Sequence, residues 1–314
     1  MNVAKILLVL GLLAANLAVA ATALVAAKPV GIASGERSGT NWPMAEDIRA
    51  VCGTPGTPIN NVASSGSLDN IYKIYSDSTV QYGIVQEDAL VYQQGLDAQM
   101  MARIMMVFPF FSTEIHIVVA GKSPIRSLAD LKGKRVVEGP KDSGTWVTSN
   151  TIKKLTGVQW EGVSLSLQDG LAAVRDGKAD AEILVAGAPI ALLANAAGLR
   201  LIDLSHPVLD AFKYYKKTRI RSGIYPFQAE AVDTYKVQNA LATFAFKYEH
   251  QKEIEALVTC IACNIEGMQT DTRRHPKWKD VTPLEINRVT WPAHPAAVRA
   301  INKVNPALCR PQAR

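Results

Sequence analysis

Twice along this chain, short apolar runs rich in β-branched residues alternate with segments of helical period, and that repetition narrows the fold more than any other feature. The first pass reads strand Val30 to Ala33, helix Asn41 to Val51, strand Ile59 to Ala63, helix Ser67 to Ser76, strand Gln81 to Val85 and helix Glu87 to Gly95. A βαβαβα unit of this kind requires parallel strands flanked by helices. Two extended runs, Ile104 to Pro109 and Glu114 to Ala120, then leave one lobe and enter another. The second pass reads helix Ser127 to Leu131, strand Arg135 to Glu138, helix Thr145 to Leu155, a strand near Glu161 to Leu165, helix Leu167 to Asp176 and strand Ala181 to Val185. Helix Pro189 to Ala197 and strand Leu199 to Leu204 follow; Ser222 to Ala229 reads as a second crossing, and a long helix, Lys236 to Ile265, starts the return. Two α/β lobes joined by two crossing strands predict a hinged clamshell of the α/β class, with ligand at the strand carboxyl ends facing the crevice.

The chain length of 314 residues suits two such lobes, assigned to residues 28–117 with 225–314 and to 118–224. Ahead of them Lys5 precedes an uncharged run from Ile6 to Ala27 with small residues at Ala18 and Ala20, the pattern of a secretory signal peptide over 1–27. At 22 residues the run is also long enough for an uncleaved anchor, which stays open. The formal charge of +6 falls to +5 once Lys5 leaves. Its Lys and Arg are dispersed, denser only over 213–221 and 273–279, so they read as a solvated basic face with no nucleic-acid partner.

Four cysteines, Cys52, Cys260, Cys263 and Cys309, favour disulfides in an exported protein. Cys260 and Cys263 form a C-x2-C, yet a redox pair wants its thiolate at a helix start and these fall late in an apolar helical stretch. No second C-x2-C or spaced histidine pair completes a zinc site. Three pairings are possible, and spacing does not choose among them.

The chemistry concentrates in the turns. SGERSGTNWP, residues 34–43, spaces Gly35 and Gly39 unlike a P-loop and lacks its lysine. What remains is an anion cradle of Ser34, Ser38, Gly39 and Thr40 at a helix start. Ser64-Ser65-Gly66-Ser67, Gln86 and Asp142-Ser143-Gly144-Thr145-Trp146 occupy the equivalent strand ends. One such loop is as well explained by helix capping; several converging loops are a way to hold a carboxylate without a metal. Catalytic alternatives are thin. His206, His275 and His294 precede proline and read as turn markers, His250 stands on a charged helix face with Glu249, Lys252 and Glu253, and only His116 falls near the cleft. Asp180 and Glu182 share a strand face without the flanking aromatics of a sugar cleft, and neither G-x-S-x-G nor H-E-x-x-H occurs.

The segments SGERSGTNWPMAEDI, ASSGSLDNI, YGIVQEDAL, SLADLKGKRVVEGPKDSGTWVTS, DGKADAEILVAGAP, SGIYPFQ, HPKWKDV and HPAA, in this order, resemble the TAXI branch of TRAP-transporter solute receptors. The resemblance covers nearly the whole mature chain and implies a periplasmic binding protein of the type II two-lobe fold. It also implies a small carboxylate ligand, such as an acidic amino acid or dicarboxylate, delivered to membrane carrier subunits. Carried over residue by residue, the ligand set is Ser34, Gly39, Thr40, Asn41, Trp42, Ser64, Ser65, Gly66, Ser67, Gln86, Ser143, Gly144, Thr145, Trp146, Gly187, Ala188, Pro189 and Tyr225. Two departures stand out: Asn41-Trp42 replaces a usual tyrosine pair, and Glu182 occupies a usually apolar position, where its charge would repel an anion or require a cationic group on the guest. The expectation is a periplasmic, monomeric, non-catalytic receptor with no cofactor or metal; the alternative is an exported enzyme or a sensor subunit on the same fold.

Overall fold

The structure, a computed structural model, describes residues 28–246, 250–283, 285, 289–304 and 309. The expected signal peptide and Glu249 lie outside the described residues. The first βα series is β1 (Val30–Gly35), α1 (Asn41–Cys52), β2 (Ile59–Ala63), α2 (Ser67–Ser76), β3 (Tyr82–Gln86) and α3 (Glu87–Leu96), with a short α4 (Ala98–Met101). After β4 (Ile104–Ala120) come β5 (Arg135–Val137), α5 (Gly144–Thr156), β6 (Glu161–Val163), α6 (Leu167–Arg175) and β7 (Ala181–Ala186). The chain then runs through α7 (Ala191–Ala194), β8 (Leu199–Leu201), α8 (Pro207–Asp210), β9 (Tyr215–Ile220) and β10 (Val232–Phe244). It returns in α9 (Gln251–Thr270) and α10 (Pro295–Lys303).

Among the described residues the strands form one sheet, β2-β1-β3-β10-β4-β7-β5-β6, with β8 on β4 and β9 on β10. The same local order occurs in each half: β1 lies between β2 and β3, and β5 between β6 and β7, all parallel. Both halves therefore reverse strand order at an equivalent point, where connections depart in opposite directions and leave a crevice. Between the halves run β4 and β10, antiparallel to each other and to their outer neighbours β7 and β3. At 17 residues β4 is on the order of 55 Å long.

The two extended runs on either side of residues 110–113 are thus a single strand, buried on both faces along nearly its whole length. The second crossing is displaced: it is β10, whereas 222–229 forms turns without strand. The reading of a helix from Lys236 is corrected accordingly. Residues 239–243 are buried on both sides of β10, which removes the alternation that marks a half-exposed strand; the helix starts only at Gln251.

Each half carries a core on each sheet face. Ile32, Met44, Ile48, Phe110, Ile254 and Trp278 pack one face of the first half, and Leu68, Ile71, Val85 and Leu90 the other. In the second half Ile117, Val136, Ile152, Tyr235 and Val237 face Val118, Val137, Leu171, Leu184 and Tyr225 across the sheet. The three His-Pro pairs start helical turns. The Nδ1 atoms of His206, His275 and His294 accept the amides of Val208 (3.3 Å), Lys277 (3.2 Å) and Ala296 (3.2 Å), with proline in the first turn. No helix among the described residues is long and apolar enough to cross a membrane.

All four cysteines are paired, Cys52 with Cys260 and Cys263 with Cys309. α9 is thereby bound to α1 on one side and to the C-terminal segment on the other. Replacing Cys52 and Cys260 together by serine releases a link across 208 residues of sequence. Urea unfolding should then show a loss of about 2–4 kcal/mol with the fold retained; an unmoved midpoint would show that the packing of α1 on α9 suffices alone.

Candidate functional site

β1 is wholly buried and ends at Gly35, whose φ of +108° turns the chain into the loop before α1. Thr40 stands at the N-cap of α1 without capping it. Its hydroxyl instead reaches the second half, accepting the Gly187 amide at 3.0 Å and donating to the Gly187 carbonyl at 3.3 Å. Gly66, with φ +127°, precedes α2 and lies against Ser143: a Cβ on Gly66 would stand 3.1 Å from Ser143 Cα. The carbonyl of Asp142 accepts the Leu68 amide at 3.0 Å and the Asp69 amide at 3.3 Å, so a loop of the second half caps a helix of the first. Ser143 caps α5 through the Trp146 amide at 3.0 Å. Gln86 lies over Gly144, where a Cβ would fall 1.5 Å from Gln86 Oε1.

Between these loops is a cavity of ≈ 60 Å³ at the junction of the two halves. A space of this size suits a small guest. The starts of α1, α2, α3 and α5 contribute Asn41, Ser67, Gln86 and Gly144 to its wall. First-turn amides lack intrahelical partners and helix starts carry positive potential, so the cavity is rich in donors.

Of the residues the sequence nominated, Ser34, Gly39, Thr40, Asn41, Ser65, Gly66, Ser67, Gln86, Ser143, Gly144 and Thr145 line the cavity. Trp42, Ser64, Trp146, Gly187, Ala188, Pro189 and Tyr225 do not. Arg37 lies over the Trp42 ring, Trp146 meets Tyr92 edge-on, and Ser64 Oγ donates to Asn70 Oδ1. Gly187 and Ala188 serve the contact between halves: the Ala188 amide donates to Glu114 Oε2 at 2.7 Å, and Glu114 Oε1 pairs with Lys277 at 2.7 Å. Tyr225 is fully buried, its hydroxyl bonded to His116 Nε2 at 2.8 Å and accepting the Ile190 amide at 3.2 Å. His116 is equally buried, and loss of solvent lowers its pKa. Lys277, which the sequence places on a solvated basic face, is buried in its ion pairs with Glu114 and Asp280.

Among the wall residues that sequence reasoning missed are Glu36, Thr113, Leu167 and Asn239. Glu36 was in view but passed over beside its hydroxyl neighbours. Its Oε2 accepts the Leu167 amide at 3.0 Å, joining the first half to the start of α6. Burial raises its pKa, the Leu167 amide opposes that, and Asp169 adds to it. Thr113 and Asn239 come from β4 and β10, where no turn chemistry advertises them. Asp88, just behind the wall, accepts from Thr148 Oγ1 (2.7 Å) and the Tyr215 hydroxyl (3.1 Å); burial raises its pKa to about 6 against those two bonds.

A sheet of two reversing halves that share β4 and β10, with helix starts from both sides meeting at the junction, is the type II fold of periplasmic binding proteins. The sequence profile of the NMT1-like family matches residues 32–301, and the chain belongs to that family. Among solved structures it is similar to a periplasmic transporter, at TM-score 0.55 and 13% identity over 90% of this chain and 97% of that one. It is also similar to an amino acid ABC transporter substrate-binding protein of Streptococcus pneumoniae bound to L-arginine. That match has TM-score 0.51 and 14% identity over 81% of this chain and 95% of that one. An ancestral arginine-binding protein bound to arginine matches at TM-score 0.50 and 14% identity, over 80% and 95% of the two chains.

Glu182, which the sequence marks as a departure, is fully buried in β7 beneath α6, and neither carboxyl oxygen has a hydrogen-bond partner among the described residues. Asp180 lies outside β7 and accepts the Arg135 amide at 2.8 Å, so the two acids occupy unlike environments. Gly170 makes room for Glu182: a Cβ there would stand 2.4 Å from its Oε1. Burial, then the like charge of Glu36, pushes the Glu182 pKa up to about 9. The unfolded carboxyl loses its proton near pH 4.5 while the native one keeps it to about 9. Between those values the native state binds more protons, so stability falls with rising pH by up to about 1.4 kcal/mol per unit from this group. Glu182→Gln should flatten that slope and raise the melting temperature at pH 8; an unchanged pH profile would show that water reaches the carboxyl.

Proposed function

We propose that the protein is an extracytoplasmic solute receptor that captures a small carboxylate between its lobes and delivers it to a membrane carrier of the TRAP type. The observation that carries this reading is the meeting of helix starts from both halves on one small, donor-rich cavity. Glu36 is the one titratable side chain among the lining residues, and no nucleophile is paired with a base there. Two disulfides support an oxidising compartment. The similar structures, one of a periplasmic transporter and one of a substrate-binding protein, point the same way. The TAXI-type segments of the chain supply the carrier class.

On this reading the lobes are the two halves of the sheet, and hinge motion about β4 and β10 opens the crevice. Because Tyr235 and Val237 pack with the second core, we draw the return boundary within β10 instead of at residue 225. Closure is held by Thr40 with Gly187, Glu36 with Leu167, and Asp142 with the start of α2.

A screen of small carboxylates by thermal shift tests the proposal. A true ligand stabilises by about 2.7 kcal/mol at one hundred times its Kd, since it binds only the folded chain. Gly144→Ala places a methyl where Gln86 sits in the closed form. It should weaken that ligand at least tenfold while leaving the ligand-free melting temperature nearly unmoved. Turnover without saturable stabilisation would instead favour an enzyme.

A further inference from the structure

The cavity wall is lopsided in its hydrogen bonding. Helix starts bring donors to it, and among its acceptors one is left over. Asn239 is fully buried and lines the cavity, and its Oδ1 receives no hydrogen bond. The amide's orientation is fixed by its other end, because Nδ2 donates to the Phe111 carbonyl at 3.0 Å and to Thr113 Oγ1 at 3.3 Å. Turning it over would set oxygen against a carbonyl oxygen. The backbone is arranged to the same effect. The β4–β10 register shifts between Gln238 and Ala240, so Asn239 falls in an irregularity of the ladder, with Pro109 opposite Ala240. Irregularities of this kind re-aim a side chain out of the regular pleat. A buried acceptor without a donor is an unfavourable arrangement that a suitable guest would relieve.

Charge narrows the guest further. Glu36 is the single charged residue among those lining the cavity, and neither Lys nor Arg is among them. One carboxylate has the helix-start amides to rest on. A second would meet Glu36 and no countercharge, in a space of ≈ 60 Å³. Resting on the receptor reading, we infer that the guest is a compact monocarboxylate with its own N–H or O–H donor, a small amino acid or hydroxy acid. Its donor faces Asn239 Oδ1, and dicarboxylates and acidic amino acids are rejected.

Isothermal titration of the oxidised protein with matched acids tests this. L-lactate against propionate differs chiefly in the donor, and glycine against acetate in a donor that also carries charge; the donor-bearing member of at least one pair should bind tenfold or more tighter. Which pair shows the gap tells ammonium from hydroxyl. Succinate and L-glutamate should bind at least tenfold weaker than the preferred acid, and Glu36→Gln should narrow that margin. Asn239→Leu should erase the gap within the pair; should that variant fail to fold, the comparison on the unaltered protein decides alone. Equal binding within both pairs, or tighter binding of succinate or L-glutamate, overturns the inference and leaves the receptor reading standing. If no carboxylate of any size binds, the receptor reading itself falls.

Discussion

The antiparallel pairing of β4 with β10 is the constraint on which the rest of the structure depends. Neither half closes its sheet without them: β3 pairs with β10, and β7 pairs with β4. Backbone hydrogen bonds in a buried sheet leave little freedom to slide, because a shift of one residue would turn each side chain to the opposite face. The β4–β10 ladder is irregular at two places, between Gln238 and Ala240 and between Leu241 and Ala242, and the first of these is next to the cavity. Thr113 and Asn239, one from each crossing strand, are bonded to each other there and contribute to the cavity wall.

Around those two strands polar contacts join the halves. Thr40 with Gly187, Glu36 with Leu167, Asp88 with Thr148, and Asp142 with Leu68 and Asp69 each join a donor to an acceptor across the junction. Individually such bonds contribute only about 0.5–1.5 kcal/mol, since the same groups would otherwise bond to water. Apolar packing crosses the junction as well, where Val147 and Trp146 of α5 join a core of the first half. Glu114 is the exception: its buried pairing with Lys277 also holds the Ala188 amide, and removing either partner would leave a buried charge.

The fold was legible because its signals are local and repeated. Alternation of period separated the first three strands from their helices within a residue or two, and turn chemistry marked most of the cavity wall. What failed was whatever depended on burial from both sides. β10 hides its period because neither face is solvated, and Asn239 was invisible for the same reason, standing in an apolar run that read as helix. Lys277 looked like a surface charge because nothing nearby in sequence reveals Glu114, which reaches it from β4. The resemblance carried Trp42, Trp146 and Tyr225 toward the ligand. In this structure their rings are engaged elsewhere, by Arg37, Tyr92 and His116. Cysteine pairing was likewise not readable, because it depends on how α9 packs on α1.

The His-Pro caps give the protein an acid edge. A capping imidazole must present a bare nitrogen to an amide; once protonated, Nδ1 becomes a donor facing a donor. Burial already opposes that proton at His275 and His294, lowering both pKa values. The unfolded chain takes it up near pH 6.5, so the stability these rings contribute is full above that point and drains as acidity rises through it. Both caps lie in the final third of the chain, where Trp278 and α10 pack against the first half. Acidification would therefore weaken two of the helix starts in the C-terminal return.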